Sequence, residues 1–449
     1  MLCINCRASM RHKVKVTTFF LTVLGTLYSC ISMRKSSRLH LAELKNVSQT
    51  SETLLASTKV VLEESYYEDN NSRLLFANDL EDSIKAGRHD GDYWRDLNVL
   101  NTIIPETLQT MRNPCWWENH PGETTCDKLR LMNKALKLPG TQENGPVLRC
   151  LPYFYLIGQA KCGTTDLFTR ITQHPSILSP MTKEPFWVFP LRFQKGCSSI
   201  ETYLDFLQTS SNRIKENYLA SSVSALITGD GSTTTMSGNT WWNMLPGNEG
   251  CEEPCITNAN IVYQMNPKAK ILVSLRNPAS RSFSYYIMKA RILKYNVSKE
   301  HFHGLVVNEI TEFQNCISRS SLRSCVMNST EENYLITAIG LRSSIYHIHL
   351  QDWMKVFPRE QIYVVHFEHY IKHMPDTLAG VYNFLEVDLL SDQEMQRIAE
   401  HKIQNQRPLS GQKLGDMLPE TKTLLDKFFK PFNAQLATLL DNDVFTWTV

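Results

Sequence analysis

Three clusters of residue types in this sequence have the makings of chemistry. Gly158-x-x-Lys161-x-Gly163-Thr164-Thr165 combines small residues, one amine and two hydroxyls. Leu275-Arg276-Asn277-Pro278-x-x-Arg281-x-x-Ser284 offers guanidinium groups and a hydroxyl. Lys183-Glu184-Pro185-Phe186-Trp187 sets a carboxylate beside an amine, ahead of a Pro-aromatic turn. The first two clusters suit anions and the third suits proton transfer. The first does not follow Walker A order, in which Lys comes after the second Gly and directly before Ser/Thr. Taken alone it also fits an ordinary βα turn with a solvated lysine.

The elements around these clusters decide what they can hold. The apolar run Tyr153 to Ile157 reads as a buried strand, and Leu167, Phe168 and Ile171 carry helical spacing. Backbone N–H groups at that helix start would face an anion, with Lys161 adding a full charge. Lys270 to Leu275 is a second buried strand, and Ala279 to Leu293 a long helix after it. Arg276 and Ser284 would then reach a second phosphate, so the ligand should carry phosphates at two positions. A helix stop and then a short strand are expected around His174-Pro175-Ser-Ile-Leu178, further strands at 225–230 and 361–366, and further helices at 199–220, 261–266, 335–357 and 418–440. Alternating helices and short apolar strands predict an α/β fold, a mostly parallel central sheet with helices on both faces and the ligand at the carboxyl ends of the strands.

The 449 residues suffice for one large domain or two medium ones, and 47 basic against 45 acidic residues give no global pull toward nucleic acid. Residues 16–33 form an apolar run of about 18 residues, just long enough to span a bilayer, with basic residues on both sides. A cleaved signal peptide is the competing reading, disfavoured by the run's length and the basic residues directly after it. Sequons at Asn46, Asn70, Asn296 and Asn328 all follow the run, as do nine of the twelve cysteines. If Cys162 stays free in the loop, eight remain, an even number suited to disulfides. Cys251-x3-Cys255 lacks a second half-site for zinc. These features predict a type II membrane protein of the secretory pathway. Its expected parts are a cytoplasmic tail (1–15), a transmembrane signal-anchor (16–33), a polar lumenal stem (34–112) and a compact domain (113–449).

The two anion clusters together resemble the 5′-phosphosulfate and 3′-phosphate motifs of the Golgi carbohydrate sulfotransferase family, and Lys183-Glu184-Pro185 resembles the segment that supplies the acceptor base in its heparan sulfate branch. Tyr346 to Pro358, Gln412-Lys413-x-Gly415 and Met417 to Asn433 match, in order, further family segments. The resemblance spans roughly residues 150–449 and implies a P-loop-like sulfotransferase fold. It also implies 3′-phosphoadenosine 5′-phosphosulfate as donor, a glycosaminoglycan as acceptor, no metal, and a Golgi membrane location with the catalytic domain lumenal. The Lys-Cys-Gly-Thr-Thr-Asp-Leu-Phe form of the loop narrows the implied acceptor to C6 of 4-sulfated GalNAc in chondroitin or dermatan chains.

The roles implied are Glu184 as base and Lys161 at the oxygen that leaves with the phosphate. Donor contacts would come from Lys161, Cys162, Gly163, Thr164, Thr165, Asp166, Arg276, Ser284, Lys413 and Gly415. Lys183 would hold Glu184 ionised and, with Asp230, is a candidate for acceptor contact; Asp230 equally suits capping a turn. Arg192 and Lys195 are further cations near in sequence for a sulfated acceptor. Trp187, Trp241 and Trp242 fit either sugar stacking or the core. Gln159 departs from the proline that many relatives carry, without removing a backbone donor. Other readings are a heparan sulfate or different galactosaminoglycan enzyme, an inactive nucleotide- or glycan-binding relative, and a kinase, the last disfavoured by the loop order. Oligomeric state, a homodimer included, is left open.

Overall fold

In a computed structural model of the protein, residues 104–448 are described, apart from 120–125, 128, 130–144, 195, 240, 294, 328–338 and 405–412. The expected tail, signal-anchor and most of the stem lie outside the described residues, as do Lys195, Asn46, Asn70 and Asn328. Asn296 is exposed, just ahead of a helix.

The chain order is β1 (Cys115–Glu118), β2 (Val147–Cys150), β3 (Phe154–Gly158), α1 (Thr164–Ile171), β4 (Ile177–Leu178), α2 (Ile200–Ser221), β5 (Ile227–Asp230), α3 (Asn258–Met265), β6 (Lys270–Leu275) and α4 (Pro278–Ile292). Then follow α5 (Lys299–Ile317), α6 (Leu322–Met327), α7 (Tyr346–Val356), β7 (Ile362–His366), α8 (Phe367–Tyr370), α9 (Met374–Phe384), α10 (Asp392–Glu400) and α11 (Pro419–Leu440). Five strands form one parallel sheet in the order β4-β5-β3-β6-β7, and β1 pairs with β2 in a small antiparallel ribbon.

Strand periodicity explains why this sheet is covered on both sides. Successive side chains point to opposite faces, and in β3 every residue is apolar or Gly. Phe154 and Leu156 join Leu167, Phe168 and Ile171 of α1 and Leu378, Val381 and Tyr382 of α9. Tyr155 and Ile157 join Tyr203 and Leu207 of α2, Ile261 and Val262 of α3, and Leu350 and Trp353 of α7. Each such buried Leu, Ile or Phe contributes about 1.5–3 kcal/mol relative to exposure. A third cluster joins α4, α5, α6 and α11 through Phe283, Phe302, Phe313, Val326, Leu425 and Phe429.

The eight cysteines expected to pair do so, as Cys115–Cys150, Cys126–Cys197, Cys251–Cys255 and Cys316–Cys325, and Cys162 is free and buried. Two boundaries move. The fold begins before residue 113, since Ile104 packs on the core and Met111 pairs with Ser224. Of the helix expected over 335–357, residues 335–338 lie outside the described residues, and the described helix runs Tyr346–Val356. Gly340, at φ +62°, and a short turn at Arg342–Ser344 precede it, a break that amphipathic spacing does not register.

Candidate active site

The loop after β3 and the N-terminus of α1 are shaped by what grips their carbonyl groups. Arg281 Nε donates to Ala160 O at 2.8 Å, Arg276 Nη1 to Lys161 O at 3.4 Å, and Ser274 Oγ to Cys162 O at 2.7 Å. In a planar trans peptide the N–H points opposite its C=O. Pulling these three carbonyls toward β6 and α4 therefore turns the N–H groups of Lys161 and Gly163 the other way. They join the first-turn N–H groups of α1, which by helix geometry lack intrahelical acceptors. N–H groups arranged in this way suit an anion. Gly163 caps α1 at φ 73°, and a Cβ there would lie 2.5 Å from Phe367 Cε2, so no side chain fits.

Arg276 stands at the end of β6 with its guanidinium 5.0 Å above the Phe367 ring. Asn277 caps α4 by accepting from Ser280 N at 3.0 Å, and Pro278 occupies the first helical turn. Ser284 lies on α4, partly exposed. The ends of β3 and β6 thus carry the two anion clusters side by side, and Arg276 touches both.

The third cluster sits across the neighbouring strand end. Lys183 Nζ donates to Glu184 Oε1 at 2.5 Å and to Gly231 O at 2.8 Å, just beyond β5, and lies 5.8 Å from the Phe168 ring of α1. Gly231 N donates back to Lys183 O, and Phe186 N to Ser232 Oγ, both at 2.9 Å. Residues 231–237 then run to the loop after β3, where Met236 N donates to Ile157 O and Gln159 Nε2 to Ser237 Oγ. One loop therefore spaces the carboxylate from the anion concavity.

Several expected contacts fall elsewhere. Asp166 turns inward: it pairs with Arg170 (Nε to Oδ2, 2.9 Å), accepts from Tyr370 Oη at 2.5 Å and from Gln404 N at 2.8 Å. The Cys162 thiol is buried 3.8 Å from Tyr346 Oη, and its N–H donates to Gln159 O, so it packs the loop. Burial pushes that thiol up, outweighing Arg281, Tyr346 and Arg276, which keeps it a neutral thiol.

Asp230 is the turn cap rather than an acceptor contact. Its Oδ1 accepts from Ser232 N and its Oδ2 from Tyr203 Oη, both at 2.7 Å, and it is 1% exposed. Burial raises its pKa, opposed by Ser232, Tyr203 and Lys183. Arg192 is likewise buried, its guanidinium 4.9 Å from the Phe193 ring and Nη2 donating to Asn258 Oδ1, and desolvation lowers its pKa to about 9. Trp187 stacks on Tyr203 in the core, and Trp241 and Trp242 are buried too. Lys413 is exposed, and Gly415 lies where a side chain would stand 3.8 Å from Lys299 Nζ.

Sequence reasoning missed Gln159, Ser274, Tyr346 and residues 339–344 as supports of the loop. They are scattered over the chain, and no local spacing connects them. Arg281 carried a signal, its place one turn into the helix after Arg276, but not its partner.

A parallel α/β sheet with an anion cradle at one strand end and a lysine-paired carboxylate at the next defines a group-transfer enzyme. The description "Sulfotransferase domain" matches residues 258–413. Mouse carbohydrate sulfotransferase 15 is 31% identical over 385 residues, covering 79% of this chain and 68% of the mouse protein. Human bifunctional heparan sulfate N-deacetylase/N-sulfotransferase 2 is 23% identical over 350 residues, covering 73% of this chain and 32% of that protein. Among solved structures, a sulfotransferase from Alicyclobacillus acidocaldarius aligns with TM-score 0.42 at 22% identity, covering 66% of this chain and 98% of its own. The chain belongs to the carbohydrate sulfotransferase family. It is a sulfotransferase.

Proposed function

We propose that the protein transfers a sulfuryl group from 3′-phosphoadenosine 5′-phosphosulfate to a glycosaminoglycan hydroxyl, the C6 hydroxyl of 4-sulfated GalNAc in chondroitin or dermatan chains. The observation that carries this reading is the meeting of the two anion clusters at adjacent strand ends, with Lys183–Glu184 linked to them through residues 231–237. The residues present fit such a donor: the outward N–H groups of Lys161 and Gly163 and the amine of Lys161 suit its 5′ end, and Arg276 with Ser284 its 3′-phosphate.

In the proposed step the acceptor oxygen forms a bond to sulfur while the bond from sulfur to the phosphate oxygen breaks. The acceptor proton passes to Glu184, held by Lys183, whose amine also donates to Gly231 O. Lys161 neutralises charge on the departing oxygen. The charge of the transferred group is spread over three oxygens, so positioning and charge stabilisation dominate, as in phosphoryl transfer. We further propose a lumenal Golgi domain on an N-terminal signal-anchor, in line with the apolar run at 16–33, the disulfides and the exposed sequon at Asn296.

Incubation of the full-length chain with labelled donor and defined chondroitin, dermatan and heparan acceptors, followed by disaccharide analysis, tests the reading. Label at C6 of GalNAc 4-sulfate is the expected product. Label on heparan alone would replace the acceptor assignment, and no label on any acceptor would overturn it.

A further inference from the structure

The donor loop is held from a segment almost two hundred residues further along the chain. Glu309, on α5, accepts from Ile339 N at 3.2 Å through Oε1 and from Leu341 N at 3.3 Å through Oε2. These bonds flank Gly340, the left-handed residue whose carbonyl accepts from Arg281 Nη1 at 3.0 Å. A Cβ at 340 would lie 3.3 Å from that same nitrogen, so the turn and the guanidinium are closely fitted. Arg281 also donates to Ser344 Oγ at 2.5 Å and Ser343 Oγ at 3.0 Å, and its remaining edge holds Ala160 O. Gln159 makes a second link by donating to Ser343 O at 2.9 Å.

Arg281 is 1% exposed, and these contacts are to neutral oxygens, so its aim follows wherever residues 340–344 sit. A guanidinium gripped by two loops transmits displacement of one to the other, because its donors form a rigid plane. In the chain of contacts Glu309–Gly340–Arg281–Ala160, Glu309 supplies the charged acceptor, and it lies at the end away from the loop after β3.

We propose that Glu309 is a positioning residue for the donor: by fixing the N–H groups on either side of Gly340 it aims Arg281, and so sets the backbone of 158–161 that cradles the donor's 5′ end. This rests on reading that loop as the donor site. Burial pushes Glu309 up to about 7, against the two backbone N–H groups and Arg342, with Glu312 on its own helix pushing the same way as burial. The sign follows from that shift. The folded chain binds a proton at Glu309 that the unfolded chain releases between about pH 4.5 and 7, so this group costs no stability as pH falls through that window. The ionised form, with two full acceptor oxygens, is lost over the same range. The clamp therefore slackens below about pH 7 while the fold does not weaken on its account.

The test compares full-length wild type with Glu309→Gln, and with Ser343→Ala as a milder cut in the same chain. The readouts are KM for the donor, KM for the acceptor and kcat from pH 5.5 to 8, together with the Kd for 3′-phosphoadenosine 5′-phosphate. Glu309→Gln should raise the donor KM and the Kd roughly fivefold at pH 8, the scale of weakening one charge-assisted hydrogen bond, with acceptor KM unchanged. Wild-type donor KM should rise below about pH 7, and that of Glu309→Gln should stay flat. A variant with wild-type donor KM and pH profile, or with equal losses toward donor and acceptor, would overturn the positioning role. Wild type that does not bind the bisphosphate would instead overturn the donor-site reading beneath it. If Glu309→Gln does not fold, Ser343→Ala must show the donor-selective loss alone, or the proposal fails.

Discussion

Replacing Gly163 by alanine would separate the two physical demands at the start of α1. The residue sits at φ 73°, where an L side chain costs roughly 1–2 kcal/mol. Its new Cβ would also meet Phe367 Cε2 at 2.5 Å and Cδ2 at 2.8 Å, and forcing a methyl into a packed site typically costs about 1–3 kcal/mol. The sum, about 2–5 kcal/mol, corresponds to a melting temperature lower by roughly 4–10 °C in a domain of this size. Because Phe367 also lies under the Arg276 guanidinium, relief of the clash by ring movement should disturb donor binding as well. Scanning calorimetry with and without 3′-phosphoadenosine 5′-phosphate would show a lower melting point and a reduced ligand-induced rise. The double variant Gly163→Ala/Phe367→Leu should recover the steric part and leave the backbone part. A single variant melting within about 1 °C of wild type, or a double variant no better than the single one, would refute the reasoning.

Other outcomes follow from the same geometry. Lys161→Ala and Glu184→Gln should each lower kcat by at least ~100-fold with melting temperature near wild type, measured by labelled sulfate transfer; turnover close to wild type in either would sink the mechanism. Asp230→Asn should weaken the fold while leaving acceptor KM within about twofold, since the carboxylate is spent on Ser232 N and Tyr203 Oη; a large rise in acceptor KM would restore it to the cleft. Desolvation lowers both His347 and His349 to about 4, so the unfolded chain takes up protons first and stability should fall as pH drops from about 6.5 toward 4. Melting curves across that range would check this, and His349→Gln should flatten part of the slope. Cys126→Ser/Cys197→Ser, which opens a bridge between residues 71 apart, should lower stability by about 2–5 kcal/mol in denaturant titrations.

The elements that hold the chemistry were legible along the chain because their determinants are local. Apolar runs bounded by Gly, Asn or Pro marked β3, β6 and β7, and Pro278 after Asn277 announced α4 with its cap. The same locality made Lys161, Arg276, Ser284 and Glu184 stand out as residue types at fixed spacing. Side-chain direction was not local. Asp166, one helical position after Thr165, pairs with Arg170 and Tyr370 instead of serving as the expected ligand contact. Asp230 and Arg192 carry the right charges near the right segments but are buried by the packing of α2 and α3. The break at Gly340 was hidden within amphipathic spacing because a turn held by a distant carboxylate leaves no periodic mark.

What the sequence by itself determined is the strands and helices that flank the loops at 158–165 and 276–284, and the pairing capacity of eight cysteines, set by residue types and local patterning. What only the tertiary structure decided is which carbonyls are pulled back so that the loop's N–H groups face outward, and which charges are left to meet a ligand. Both depend on contacts between residues 100 or more apart, such as Arg276 with Lys161 and Arg281 with Ala160. A guanidinium's partner is chosen by where the fold brings an oxygen, and no spacing in the chain encodes that position.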